Sequence, residues 1–158
     1  MSGGAVVVRE RRGDEVAACV AVLALIHKAE AYPWHWPQDA ARWLTPRNML
    51  RAWVAVGDAG AIAGHVMVRG AVEGESATVS RLFVSPGYRG LGLGVRFLEL
   101  ARDWAVENGR GLDLEVDSER HAAIGLYERM GWRKTGGYVA DWVTPAGEPV
   151  TLLRYALA

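Results

Sequence analysis

Six residues just past the middle of the chain have the spacing most suited to binding chemistry: Arg89-Gly90-Leu91-Gly92-Leu93-Gly94. Alternate glycines let a backbone approach a bound group closely, and the first N–H groups of a helix opened by such a loop have no internal acceptor. The helix dipole adds partial positive charge at the same end, and Arg89 adds a full one. The combination is a cradle for a phosphate or pyrophosphate.

Glycines at this density also occur in three further kinds of loop. A P-loop is excluded, because no Gly-Lys-Ser/Thr follows. A dinucleotide fingerprint needs a third glycine where Val95 stands, although Asp113 and Glu115 lie at the spacing of its acidic residue. The loop comes late, behind a run of hairpin strands, and too little chain remains for a second nucleotide-binding half. An ordinary strand-to-helix turn is the remaining alternative.

The elements that must position this loop follow from hydrophobic period and turn residues. Strands are expected over 5–9, 52–56, 62–69 and 76–84, with Gly57-Asp58-Ala59-Gly60 as a hairpin turn. Helical spacing predicts helices over 15–28, 93–108 and 121–130, with a short one over 39–44. Further strands are expected over 112–116, 132–139 and 150–156. Antiparallel strands followed by a strand–helix–strand crossover make a mixed α/β chain. Residues 1–158 are expected to form one domain, since 158 residues suit a single core and no linker or repeat divides them.

Eighteen basic and eighteen acidic residues balance, which gives no electrostatic case for nucleic acid or a membrane surface. Cys19 is the single cysteine, so neither an internal disulfide nor a cysteine-based metal site is available, and no metal-site spacing occurs. The first fifteen residues lack the apolar core of a leader, and a cytoplasmic protein, monomeric or homodimeric, is expected.

The loop, together with the strand-like Leu82-Phe83-Val84-Ser85-Pro86 before it, is similar to the Arg/Gln-x-x-Gly-x-Gly/Ala signature of the GNAT superfamily of N-acetyltransferases. Downstream, Leu114-Glu115-Val116 and the block from Ala122 through Leu126-Tyr127-Glu128 to Gly131-Trp132 resemble that family's second block. Good matching covers about a third of the chain, residues 81–132. The resemblance implies an α/β/α fold with a largely antiparallel, partly splayed sheet, and acetyl-CoA as co-substrate. The amides of Arg89, Gly90, Leu91, Gly92, Leu93 and Gly94 would then hold the pyrophosphate. The backbone of Leu82, Phe83 and Val84 would pair with the pantetheine arm, where 80–84 and 112–116 splay apart. Many relatives carry an Asn where this chain has Arg120, which would reach a coenzyme phosphate or stay solvated.

Acetyl transfer to an amine needs removal of an ammonium proton, donors for the oxyanion, and protonation of the departing thiolate. Tyr127 matches the tyrosine that faces the coenzyme sulfur in the family, and its reference pKa near ~10 is close to that of a thiol. Packing on a helix face with Ile124 and Met130 is its plainer role. Glu115 is the candidate base, beside Asp113 on one strand face, where a second carboxylate tends to raise a pKa. Glu115 resembles the glutamate of ribosomal-protein N-terminal acetyltransferases; a solvated strand face is the alternative. Glu73, Glu75 and His65 stand in reserve, and Cys19 is expected to be a small buried hydrophobe. Trp34 and Trp36, in a Pro-rich aromatic stretch, would wall the acceptor site, or with Trp43 clamp the short helix. The acceptor is then a small-molecule amine, or alternatively a protein N-terminus or lysine. A non-catalytic acyl-CoA-binding module would keep the loop and have no use for Tyr127.

Overall fold

The computed structural model describes residues 5–157; residues 1–4 and 158, which belong to the expected domain and to the stretch read for a leader, lie outside the described residues. β1 (Val7–Glu10), β2 (Met49–Val56), β3 (Ile62–Arg69) and β4 (Ser76–Val84) form an antiparallel meander. β3 is buried along almost its whole length, hence its near-continuous apolar run.

Helix α3 (Leu93–Glu107) carries the chain over to β5 (Gly111–Asp117), which lies parallel to β4. Helix α4 (His121–Arg129) and β6 (Trp132–Val143) follow, and β7 (Pro149–Leu157) then inserts between β5 and β6, antiparallel to both. The sheet of seven strands thus runs β1-β2-β3-β4-β5-β7-β6.

Two apolar layers fix the helices. α1 (Val16–Glu30) presents Cys19, Leu23 and Ile26 at helical spacing to Val54, Ile62 and Phe83, and α2 (Ala40–Trp43) follows it on that side. α3 buries Phe97, Leu98, Ala101 and Ala105 with the opposite set of sheet residues, including Val66, Val79 and Leu114. The result is the expected α/β/α arrangement.

β6 runs four residues beyond its expected end at 139. Most of its side chains are exposed, and Gly136-Gly137 breaks any apolar alternation. Pairing with β7 along the strand makes it β, a cause that alternation does not report.

Candidate active site

β4 and β5 hydrogen-bond only where Ser76, Ala77, Thr78 and Val79 face Gly111, Leu112, Asp113 and Leu114. Beyond that they diverge, as the resemblance implied. The divergence coincides with a bulge: the β3–β4 register slips between the pairs Met67↔Ser80 and His65↔Phe83. Arg81 sits in the slip with φ +54°, a left-handed conformation unusual for a side chain of its size.

His65, fully buried, secures that bulge. Its Nε2 lies 3.0 Å from an Arg11 guanidinium nitrogen. Arginine can only donate, so Nε2 accepts and Nδ1–H donates to the Arg81 carbonyl at 2.9 Å. Burial pushes the imidazole pKa down to about 3. His65 is therefore a neutral structural part, not a base in reserve. Cys19 is likewise fully buried, and burial raises its thiol to about 11.

Past β4 a single 3-10 turn (Pro86–Tyr88) leads into the glycine loop. Gly90 and Gly92 have φ of +79° and +75°, and a Cβ on either would project into space with no protein atom within 4 Å. None of the amides of Gly90, Leu91, Gly92, Leu93 and Gly94 has an acceptor among the described residues. This open, donor-lined hollow at the start of α3 fits a pyrophosphate. The Arg89 side chain is engaged elsewhere: it donates to the Val84 carbonyl at 3.1 Å and pairs with Glu30 at 2.7 Å.

A groove of about 770 Å³ runs from this loop through the β4–β5 opening. Leu82, Phe83, Val84, Arg89, Gly90, Gly92, Leu93, Gly94, Glu115, Arg120, Tyr127 and Trp34 all line it. Two expected residues lie off it. Leu91 borders a neighbouring depression beside Val6 and Val8. Trp36 packs on the His27 ring, 5.4 Å between centroids.

Tyr127 projects from α4 with its ring among Trp132 and Tyr155. Burial raises its pKa well above the ordinary phenol value. The close match to a thiol expected from reference values therefore does not hold, although a thiolate formed in the same groove is disfavoured by the same desolvation. Glu115 departs further from its expected surroundings. The neighbouring Asp113 accepts from the Thr78 hydroxyl at 2.6 Å, while Glu115 pairs with Arg154 at 3.2 Å and accepts from Tyr138 at 3.0 Å. A guanidinium and a phenol stand where like-charge repulsion was anticipated.

Arg120 donates to the carbonyls of Glu30 and Ala31, both at 3.2 Å, and lies near the faces of Tyr32 and Trp34. It holds the C-terminal end of α1, where the dipole favours a cation. Trp34 donates its indole N–H to Asp117 at 2.8 Å, tying the aromatic stretch to the end of β5. His35 completes the bridge, with its Nε2 2.6 Å from the Val143 carbonyl and its ring edge-on to Trp142. Asp117 was missed in the sequence, although the alternation Asp113-x-Glu115-x-Asp117 signals it. Arg81 was missed too, because a non-glycine bulge leaves no mark in composition.

With this geometry in place, comparison identifies the class. The acetyltransferase (GNAT) family matches residues 9–132, and the chain belongs to that family, whose members use acetyl-CoA. It is 39% identical over 87 residues to streptothricin acetyltransferase of Streptomyces lavendulae, a match covering 54% of this chain and 46% of that protein. The chain thus spans about half that relative's length. Peptidyl-lysine N-acetyltransferase YjaB of Escherichia coli K12 is 29% identical over 119 residues, covering 75% and 71% respectively. YncA of Salmonella typhimurium, solved with its cofactor acetyl-CoA, shares the fold with a TM-score of 0.78 at 21% identity, over 97% of this chain and 93% of that one.

Proposed function

We propose that the chain acts as one acetyltransferase domain that moves the acetyl group of acetyl-CoA to a primary amine, by direct attack, on a small-molecule acceptor. The observation that carries this is the set of orphaned amides at Gly90 to Gly94, opening onto a groove that Tyr127 and Glu115 also line. Acetyl-CoA supplies the acyl group as an activated thioester. The loop amides hold its pyrophosphate, and the backbone of Leu82, Phe83 and Val84 pairs with its pantetheine arm. Arg120 and Arg89 flank that arm while fixing the end of α1. Glu115 takes one proton from the acceptor ammonium, and the freed amine attacks the thioester carbonyl. As the C–S bond breaks, the sulfur takes the Tyr127 hydroxyl hydrogen while the second proton of the attacking nitrogen restores the phenol.

The bridge from Trp34 and His35 to Asp117 and Val143 supports a small acceptor, because it ties together Trp34 and Asp117, two residues that line the groove. Acetylation of a protein lysine is the second reading, motivated by the likeness to YjaB. Among the described residues no helix is long and apolar enough to cross a membrane. A cytoplasmic setting is part of the proposal.

Thermal unfolding with acetyl-CoA, using NAD and ATP as controls, tests the cradle. Coenzyme at ~100 times its Kd adds about 2.7 kcal/mol of stability. Thiol release over a panel of amines and lysine peptides then separates the two acceptors. Stabilisation without release from any amine or peptide would instead mark a coenzyme-binding module, and no stabilisation would withdraw the acetyltransferase reading.

A further inference from the structure

Two arginines that line the groove have no part in the chemistry above. Arg69 ends β3 and Arg81 occupies the β4 bulge; both are partly buried, and both line the groove. Among the described residues neither guanidinium has a carboxylate within ion-pairing distance, whereas five other arginines do. The carboxylates that share the groove are already engaged: Glu30 with Arg89, Glu115 with Arg154, Asp117 with Trp34. Arg69 Nε is buried with no acceptor among the described residues.

Arg81 lies over the Trp43 ring at 3.9 Å and donates to the Trp43 carbonyl and the Ser80 hydroxyl. A brace for α2 explains that stack. It does not explain a second guanidinium lining the same groove, where burial lowers the Arg81 pKa and the charge of Arg69 lowers it further. Two like charges with unused donors in a partly dry wall are unfavourable until an anion joins them. The fork of a guanidinium matches a carboxylate in two parallel hydrogen bonds.

We propose that Arg69 and Arg81 form a carboxylate-binding subsite, so that the acceptor is a small amine that also carries a carboxylate, an amino acid. The inference rests on the acetyl-transfer reading and narrows its acceptor. It assigns the two arginines to contacts with the substrate carboxylate rather than with the reacting groups, and so to KM more than kcat.

Acetyl-CoA binding is first measured alone by calorimetry on the wild-type chain. Thiol release is then measured for the standard L-amino acids, β-alanine and 4-aminobutyrate, each against its carboxamide. The subsite predicts at least one acid favoured over its amide by about 10- to 100-fold in kcat/KM, as expected of a charge-assisted pair. R69Q and R81Q each remove most of that preference by raising KM. R69K and R81K restore part of it, and the acetyl-CoA affinity of R69Q stays unchanged. Should R81Q lose the fold with its brace, R69Q carries the test, since Arg69 Nε has no hydrogen-bond partner among the described residues. Amides equal to or better than every acid overturn the subsite, as does acid preference that survives R69Q, or acetyl-CoA binding with no acid turned over. Absence of acetyl-CoA binding removes the underlying reading as well, a result recognisable before any acceptor is added.

Discussion

At the scale of the residue, the two proposed proton carriers differ in how the fold treats them. Tyr127 is nearly buried and held as a neutral phenol far above pH 10 by desolvation, so its contribution is a fixed hydroxyl donor rather than a titrating acid. Phenylalanine keeps the ring contacts with Trp132 and Tyr155 and removes only that donor. Tyr127→Phe is expected to lower kcat by about 100-fold, the lower range of acid–base catalysis, with acetyl-CoA affinity within about twofold of wild type. Steady-state kinetics and calorimetry check the pair, and an unchanged kcat would leave Tyr127 a packing residue. Glu115 sits at the surface end of the groove with Arg154 and Tyr138 on its two oxygens. Glu115→Gln is expected to cost about 100-fold in kcat/KM at pH 7 and progressively less toward pH 9.5, where more of the amine is already deprotonated. A loss that is constant across that range would argue for a structural role. The types and positions of both residues were legible in the sequence. Their partners were not, since Arg154 reaches Glu115 from a strand 39 positions away.

Among elements, the crossover β4–loop–α3–β5 carries the function, and its parts differ in how far they were legible. β4 runs over the predicted residues 76–84, and α3 starts at the predicted Leu93, because a β-branched run and a glycine-opened amphipathic helix are local signals. The opening between β4 and β5 has no local signal. It coincides with the bulge at Arg81, which His65 and Arg11 stabilise from two other segments. The family resemblance implied the splay; the residue pattern alone did not. The loop itself gives a sharp prediction. Gly92 has φ +75°, and its missing Cβ faces the hollow proposed for the pyrophosphate. Gly92→Val should weaken acetyl-CoA binding by about 30-fold or more while costing roughly 1–2 kcal/mol of stability, the penalty of a side chain in the left-handed region. Gly87 lies in the same segment outside that region, also facing open space, so Gly87→Ala should keep wild-type affinity. Equal affinities for wild type and Gly92→Val in calorimetry would mean that the loop is a turn and no cradle.

For the whole molecule, two groups, Glu15 and His65, tie stability to pH. Glu15 pairs with Arg9, whose hydrogen bonds hold the carboxyl down at about 2 from a usual 4.5; its stabilisation is present above pH 4.5 and is lost only as pH falls toward 2. His65 acts earlier. Its pKa falls from 6.5 to about 3 because the folded chain buries the ring as an acceptor for Arg11, so below pH 6.5 the unfolded chain binds a proton that the folded chain refuses. Stability from His65 is complete above pH 6.5 and declines as pH falls from 6.5 toward 3. Linkage puts the loss at about 2 kcal/mol between pH 7.5 and pH 5, a window in which Glu15 adds only about 0.2 kcal/mol. Urea unfolding at these two pH values measures it. His65→Gln offers an amide that can still donate to the Arg81 carbonyl and accept from Arg11, without a titrating ring. The variant should be less stable than wild type at pH 7.5, having lost the stacking on Phe83, yet its stability should change little between the two pH values. An equal pH slope in both proteins would shift the acid sensitivity to other groups. It would also remove the argument that a neutral His65 holds the β4 bulge, where the groove opens.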